Sequence, residues 1–383
     1  MRAIALTHVF PRWDGDPSAA FLSTWTAALR ADGHDVRVIA PHDAGLPEVD
    51  VVEDTPIRFV RYAPEDREVL AYRGEMHRIA MQPTGPPLVA SMMTLMAGAL
   101  RRAVRRWKPD VVHVHWWMPG AIITRMAGVD VPVVVHLHGT DIGIVEGRPK
   151  LRTLARWALD GADRLEVVST SLARRTRSAV GRRVDGLNPM PLDIARFTGV
   201  EAQMSLDRPV VLGVGRLVPE KGFADLVDAV AGLEDRVVLR LVGDGPAARD
   251  LAIRAHERGV ELQLPGRIDP ADLPAEYAAA EVVVQPSHAE GLGLVAAEAV
   301  LMGRPIVATD SGGVRDVLDD RLLVRVGDIE AMTARIREAL HDPDLPAVAR
   351  AGQRVRRTLS PEAAAERTVD GWQQAIAAHR TRR

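Results

Sequence analysis

Apolar positions along this chain switch repeatedly between two periods. RAIALTHV (2–9) is a short strand-type run, followed by a loop holding Pro11, Gly15 and Pro17. FLSTWTAALRADG (21–33) then has helical spacing closed by Gly33, and DVRVIAP (35–41) is a second strand. Strand, loop, helix, strand is the signature of a parallel α/β unit. The rhythm continues through strand-like runs in 49–62, a helix at 87–107, strands at 110–117 and 132–139, a helix at 152–162 and a strand at 164–170.

DGLNPMPLDIARF (185–197) breaks that rhythm with prolines, turn residues and no periodicity. It marks a crossing between domains. Alternation then restarts, with strands at 209–217, 237–245, 260–266, 281–287 and 305–310. Between and after them come helices at 222–233, 247–259, 275–280, 292–303, 328–342 and 361–380. The expected fold is α/β: two tandem Rossmann-like, doubly wound parallel sheets, 1–195 and 196–360, facing a central cleft. In such sheets ligands bind beyond the C-terminal strand ends, which singles out His8, His115, His138, Arg216, Asp244, Ser287 and Glu290.

Length and composition fit this division. At 383 residues the chain exceeds one ordinary core. A net charge of −2 offers no field for nucleic acid, and the lack of cysteine excludes disulfides and thiolate chemistry. Of 49 basic residues only Lys108, Lys150 and Lys221 are lysine, which reads as GC-rich bacterial coding. The start MRAIALTH lacks a secretory core, and the longest apolar stretch (88–100) is shorter than the ~20 residues of a spanning helix. A cytoplasmic protein is expected. The basic end of the 87–107 helix, RRAVRRWK, could contact the inner membrane face. The favoured reading is a packed helix whose basic end complements the dipole.

Two stretches carry candidate chemistry. In AEGLGLVAAEA, Glu290 stands just before a helix start and Glu298 lies inside the helix. Free N–H groups of the first turn make an anion site, and Gly291 and Gly293 let the backbone approach a bulky ligand. Carboxylates on either side of a held anion suit a nucleotide sugar, with hydroxyls flanking a diphosphate. The bland alternative is a dipole-favoured acid and a solvated helix residue. In GVGRLVPEKG (213–222), Arg216 and Lys221 place two cations at a strand end. They could equally be surface charges paired with Glu220. The third glycine of the dinucleotide fingerprint is missing, so NAD is not inferred.

GRLVPEKG, VGDGP (242–246), LPGRI (264–268) and the two glutamates seven residues apart, in that order, resemble the retaining glycosyltransferases of family 4, which have the GT-B fold. FPRWDGDPSAAFL, GHDVRVIAP and HLHGTD in the first half agree. The resemblance implies an acceptor domain at 1–195, onto which 361–383 packs back, and a donor domain at 196–360. It gives Arg216 and Lys221 the donor diphosphate, Glu298 the ribose hydroxyls and Glu290 the donor sugar. Backbone amides of Gly291, Leu292, Gly293 and Leu294 would meet sugar or phosphate. Arg267 and Ile268 would lie along the base, His138 would meet a sugar hydroxyl, and Gly15 would leave room for phosphate and acceptor. NPMPLD (188–193) replaces the family's usual Asn-Gly-Val-Asp, and Leu292 stands where Phe is common.

HVHWWMPG (113–120) ends another strand. His113 and His115 form a His-x-His pair, but no third ligand has suitable spacing, so no metal is expected. His115 and Trp117 are candidates for an acceptor pocket, as is Asp16, while Trp116 reads as core. The resemblance implies transfer of a hexose-type sugar, from UDP by preference or GDP, to an acceptor hydroxyl with retention and front-face attack. No metal or cofactor would be needed, and His138, Arg216, Lys221 and Glu290 would form the catalytic group. The alternatives are a nucleotide-sugar epimerase or hydrolase, or a non-catalytic binding protein. Lipid, metabolite and saccharide acceptors remain open, as does oligomeric state.

Overall fold

The computed structural model describes residues 1–73, 76–200, 202 and 207–382. They form two compact units, Met1–Pro191 with Pro361–Arg383, and Leu192–Ser360. The chain leaves the first unit inside the irregular 185–197 segment.

The N-terminal unit runs β1 (Arg2–Leu6), α1 (Ala20–Ala31), β2 (Asp35–Pro41), β3 (Val49–Val52), β4 (Thr55–Val60), α2 (Met76–Ala80), α3 (Gly85–Trp107), β5 (Val111–His115), α4 (Ile122–Ala127), β6 (Val133–Leu137), α5 (Thr140–Gly147), α6 (Arg152–Leu159), β7 (Arg164–Val167), α7 (Thr170–Val180) and β8 (Gly186–Leu187). Among the described residues its strands form one sheet in the order β3-β4-β2-β1-β5-β6-β7-β8. All neighbours are parallel except β3 and β4. The run at 49–62 is therefore an edge hairpin, turned by Glu53 and Asp54 at φ 50 and 58. Two successive positive φ values give the turn twist that a two-residue hairpin favours.

The C-terminal unit continues with β9 (Val210–Val214), α8 (Phe223–Ala231), β10 (Val238–Val242), α9 (Ala248–Arg258), β11 (Leu262–Gly266), α10 (Leu273–Ala279), β12 (Val282–Gln285), α11 (Leu294–Leu301), β13 (Ile306–Thr309), β14 (Leu323–Val324), α12 (Ile329–His341) and α13 (Leu345–Thr358). Its sheet is parallel, in the order β11-β10-β9-β12-β13-β14. The order reverses between β9 and β12, which opens a crevice at the carboxyl ends of those strands. Behind the sheet face, Val211, Leu239, Leu241, Val282, Val284 and Val307 form one buried core with the apolar stripes of α8, α9 and α12. Runs of valine and leucine without alternation are what a strand buried on both faces requires.

The last helix, α14 (Pro361–Thr381), returns to the N-terminal unit beside α1. Its Trp372 is fully buried, and the Trp25 indole N–H donates to Thr368 Oγ1 at 2.9 Å. Burying two indoles contributes several kcal/mol, provided each N–H finds a partner. No helix among the described residues is long and apolar enough to cross a membrane.

Candidate active site

The donor-type residues gather at the carboxyl edge of the C-terminal sheet. Beyond β9 and β10 the backbones of Gly215 and Gly243 nearly touch, so that a Cβ on Gly243 would lie 1.9 Å from the Gly215 carbonyl. Only glycine permits that approach, and it lets the following Arg216 emerge exposed at the rim. Gly222, at φ 66, backs against the Pro286 carbonyl just past β12. This docks the Lys221 turn onto the loop that carries Glu290.

Lys221 Nζ meets Glu290 Oε1 at 2.5 Å, and Ser287 Oγ donates to the same oxygen at 2.7 Å. Glu290 is pinned through its backbone: its N–H donates to Ser311 O at 2.7 Å, and Gly313 N–H donates to its carbonyl at 3.3 Å. Between Glu290 and the start of α11 lie Gly291, Leu292 and Gly293. Among the described residues their N–H groups donate to no protein acceptor. Gly293 adopts φ 95 at the N-cap, and α11 begins at Leu294. Free amides at a helix start, one cation and one carboxylate thus converge within a few residues, as anion binding with hydroxyl recognition requires.

Glu298 sits one turn into α11, partly exposed at its surface, and accepts a hydrogen bond from the Tyr277 hydroxyl at 2.5 Å. Withdrawal of the carboxyl from water pushes its pKa up to about 7, against the Tyr277 bond and the charge of Arg196. Glu298 is therefore not the solvated helix residue that spacing alone allows. Arg216 and Arg267 are exposed with no side-chain partner among the described residues, and Ile268 is half-buried beside Arg267.

The candidates of the N-terminal unit occupy a different setting. His138 follows β6, is buried, and its Nε2 lies 3.0 Å from His115 Nδ1. Burial, then the charges of neighbouring histidines, drives its pKa well below the ordinary value, so the ring is neutral near pH 7. Asp141 caps the turn after it, accepting the N–H groups of Gly139 and Ile142 at 2.9 and 3.0 Å. Burial raises the Asp141 carboxyl to about 6. Gly15, at φ 84, lies in open space, and its N–H donates to Glu53 Oε1.

Three expectations need correction here. Trp117 is wholly buried and its indole N–H donates to Asp141 O at 2.8 Å, so it packs the core instead of lining an open pocket. His115 is also buried. Asp16 is turned inward: Arg12 Nε binds Oδ2 at 2.7 Å and Ser18 Oγ binds Oδ1 at 2.9 Å. Burial would raise its pKa, but these bonds outweigh that and hold it low. The His-x-His pair does have a third neighbour, since His136 on β6 is in register with His115 and completes a group with ligand atoms within 4.8 Å of one another. Sequence spacing could not show it, because the contact crosses strands. His113 Nδ1, however, already accepts the Trp372 indole N–H at 3.0 Å.

Ser287, singled out at a strand end, does join the site, whereas Tyr277 and the Ser311–Gly313 turn gave no signal in the sequence. Sequence reasoning missed the Arg12 network too, in which the guanidinium reaches Asp16 and Asp43 and lies 4.4 Å from the Trp13 ring centre. The arginine beside a tryptophan in FPRWDGD was the available signal for that network.

Residues 201–357 match the family model for glycosyl transferases group 1, and 18–187 match that for a glycosyl transferase 4-like domain. The chain is 30% identical over 349 residues to a D-inositol 3-phosphate glycosyltransferase of Xylanimonas cellulosilytica, spanning 79% of this chain and 80% of that one. It is 26% identical over 359 residues to a putative teichuronic acid biosynthesis glycosyltransferase of Bacillus subtilis, spanning 89% and 90%. An Anabaena protein, HepE, crystallised in complex with UDP and glucose, superimposes with a TM-score of 0.75 at 20% identity, covering 97% and 99% of the two chains. The chain belongs to the group 1 glycosyltransferases, with a family 4-like N-terminal domain and the GT-B fold, and it is a glycosyltransferase.

Proposed function

We propose that this glycosyltransferase transfers a hexose-type sugar from a nucleotide diphosphate donor, UDP before GDP, to an acceptor hydroxyl with retention and without a metal. The carrying observation is the Lys221–Glu290 pair beside the unpaired amides of Gly291–Gly293 at the start of α11. The anomeric carbon–oxygen bond breaks as the diphosphate leaves, and Lys221, Arg216 and those amides stabilise its growing charge by preorganised electrostatics. The acceptor hydroxyl attacks the same face, passing its proton to the departing phosphate oxygen. Glu290, freed from Lys221 by the diphosphate, accepts hydrogen bonds from sugar hydroxyls, and Glu298 does so from the ribose diol. His138, being neutral, serves as hydrogen-bond partner to the sugar. The UDP and glucose held by HepE support the choice of base. Arg267 and Ile268 are assigned to the base on the resemblance, and the acceptor is assigned to the N-terminal unit.

A thermal-shift screen with UDP, GDP and ADP tests the donor, because binding to the folded state alone raises its melting temperature. UDP is expected to give the largest rise, and the rise should disappear in Lys221→Ala. Assay with and without EDTA tests metal independence. Incubation with UDP-sugar alone is expected to give only slow hydrolysis. The anomeric configuration of the product reports retention.

A further inference from the structure

The near-neutral charge of the whole chain hides a local imbalance. Between residues 85 and 183 there are sixteen arginines and lysines against seven acids. Two of those acids, Asp141 and Glu166, are buried. The cations concentrate on the helical layer formed by α3, α4 and α6, which are continuous with one another. Arg101 of α3 binds the carbonyls of Met126 and Ala127 at the end of α4. Arg125 of α4 lies 5.0 Å from the ring centre of Trp157 on α6.

The outer side of this layer combines two features that a surface bathed only in water does not need. Arg102, Arg105, Arg106, Arg125 and Arg152 are exposed, and among the described residues none has an acid partner. Elsewhere in the chain exposed arginines commonly have one, as Arg315 has Asp310 and Arg258 has Asp228. Among these unpaired cations stand large apolar side chains: Trp157 is 42% exposed, Met126 42%, Leu154 38% and, further along α3, Leu95 44%. Leu154 and Trp157 are three residues apart on α6 and share one side of it. The nearby exposed acids are Asp160, 3.6 Å from Arg156, Asp130, 3.5 Å from His379, and Asp110, which accepts the Arg2 N–H at 2.7 Å.

Unpaired arginines interleaved with tryptophan, leucine and methionine fit a boundary that is anionic outside and apolar beneath. A soluble polyanion would use the cations and leave the apolar groups idle. We propose that the outer face of the α3–α4–α6 layer seats this enzyme on an anionic lipid surface, its arginines among the headgroups and Trp157, Met126 and Leu154 at the acyl boundary. This gives the exposed side of the 87–107 helix a role beside the packed one, whose Met92, Met96 and Leu100 are buried. It is independent of the donor-site reading, since none of these residues belongs to that site.

The test is co-sedimentation of the full chain with vesicles of phosphatidylcholine mixed with phosphatidylglycerol, against phosphatidylcholine alone. Binding is expected only to the anionic vesicles and should weaken in high salt. Each arginine near the surface contributes a factor of roughly five, so Arg102→Glu/Arg105→Glu/Arg106→Glu should weaken binding by more than about 100-fold. Trp157→Ala should weaken it by several-fold. All these side chains are exposed, and an unchanged melting temperature confirms that the variants fold. Lys221→Ala should bind vesicles like the parent, whatever it does to activity. Absence of binding, equal binding to both vesicles, or indifference to the charge reversal overturns the proposal. Tighter binding to soluble polyglutamate than to vesicles, unaffected by Trp157→Ala, overturns it in favour of a polyanionic polymer.

Discussion

The two units keep their polar chemistry at different depths. In the C-terminal unit it lies at the sheet edge, where Lys221, Glu290 and the amides of Gly291–Gly293 are held by backbone bonds and remain reachable. In the N-terminal unit it lies inside: His113, His115, His136 and His138 are all buried, with Trp25, Trp116 and Trp372 around them. Edge groups can reorganise around a ligand at little cost to the fold. Buried groups are part of the fold, and any change in their charge is paid in stability. Perturbing each unit should therefore affect different observables.

The largest expected effect is catalytic. Lys221→Ala should lower kcat by about 10²–10³-fold, the usual loss when one preorganised donor to a developing anion is removed. Because Lys221 and Glu290 are both partly exposed, the melting temperature should scarcely move. A variant that unfolds, or one that turns over normally, breaks the assignment of the edge to chemistry.

Acid should act on the other unit. Burial lowers His8 and His136 from the ordinary 6.5 to about 4. Between these values the unfolded chain binds more protons than the folded one, so stability is complete above pH 6.5 and drains away as the pH falls toward 4. Each shift corresponds to about 3 kcal/mol at full expression. Melting curves across that window should show the loss, and His136→Leu should reduce its slope. A flat profile would mean that these rings are not shielded from water.

The same difference in depth explains what was legible in the sequence. Arg216, Lys221, Glu290 and Glu298 could be singled out because glycines, a rare lysine and paired acids stand at strand ends, where few structural duties compete. Continuous apolar runs mark most strands, since strands buried on both faces have little choice of residue. The helices α2, α4, α5, α7 and α13 have no matching periodic run: α2 and α4 are too short for one, α5 is short and carries an internal glycine, and α7 is mostly polar outside Leu172 and Val180. The Ser169 cap that starts α7, bonded to Leu172 N–H, was the missed signal. Partners from distant sequence were invisible. Tyr277 finds Glu298 and His136 finds His115 only once strands and helices are in register. Trp117 and Asp16 misled because an aromatic or acid near a strand end looks the same whether it faces ligand or core.

Glu298 tests whether an edge group can also feel burial. With its carboxyl at about 7, the ionised form that accepts ribose hydroxyls is lost as pH falls through neutrality. KM for the donor should rise below pH 7 with kcat less affected, and Glu298→Gln should flatten that rise while raising KM about tenfold at high pH. Tyr277→Phe should change KM more than kcat. A donor KM with no pH dependence would mean the carboxyl does not face the donor.

The smallest effect sharpens the comparison from inside the N-terminal unit. Trp372→Phe keeps the ring in its socket beside Trp25 and His34 but removes the N–H that His113 Nδ1 accepts. A buried hydrogen bond of this kind contributes about 1 kcal/mol, and leaving His113 without its donor adds a desolvation cost of similar size. A loss of 1–2 kcal/mol by denaturant melt is therefore expected, with donor KM unchanged, because the affected bond lies between core residues of one unit. If Trp372→Phe raised donor KM while leaving stability alone, the division between an edge that binds and a Trp372–His113 core that only supports would fail at its clearest point.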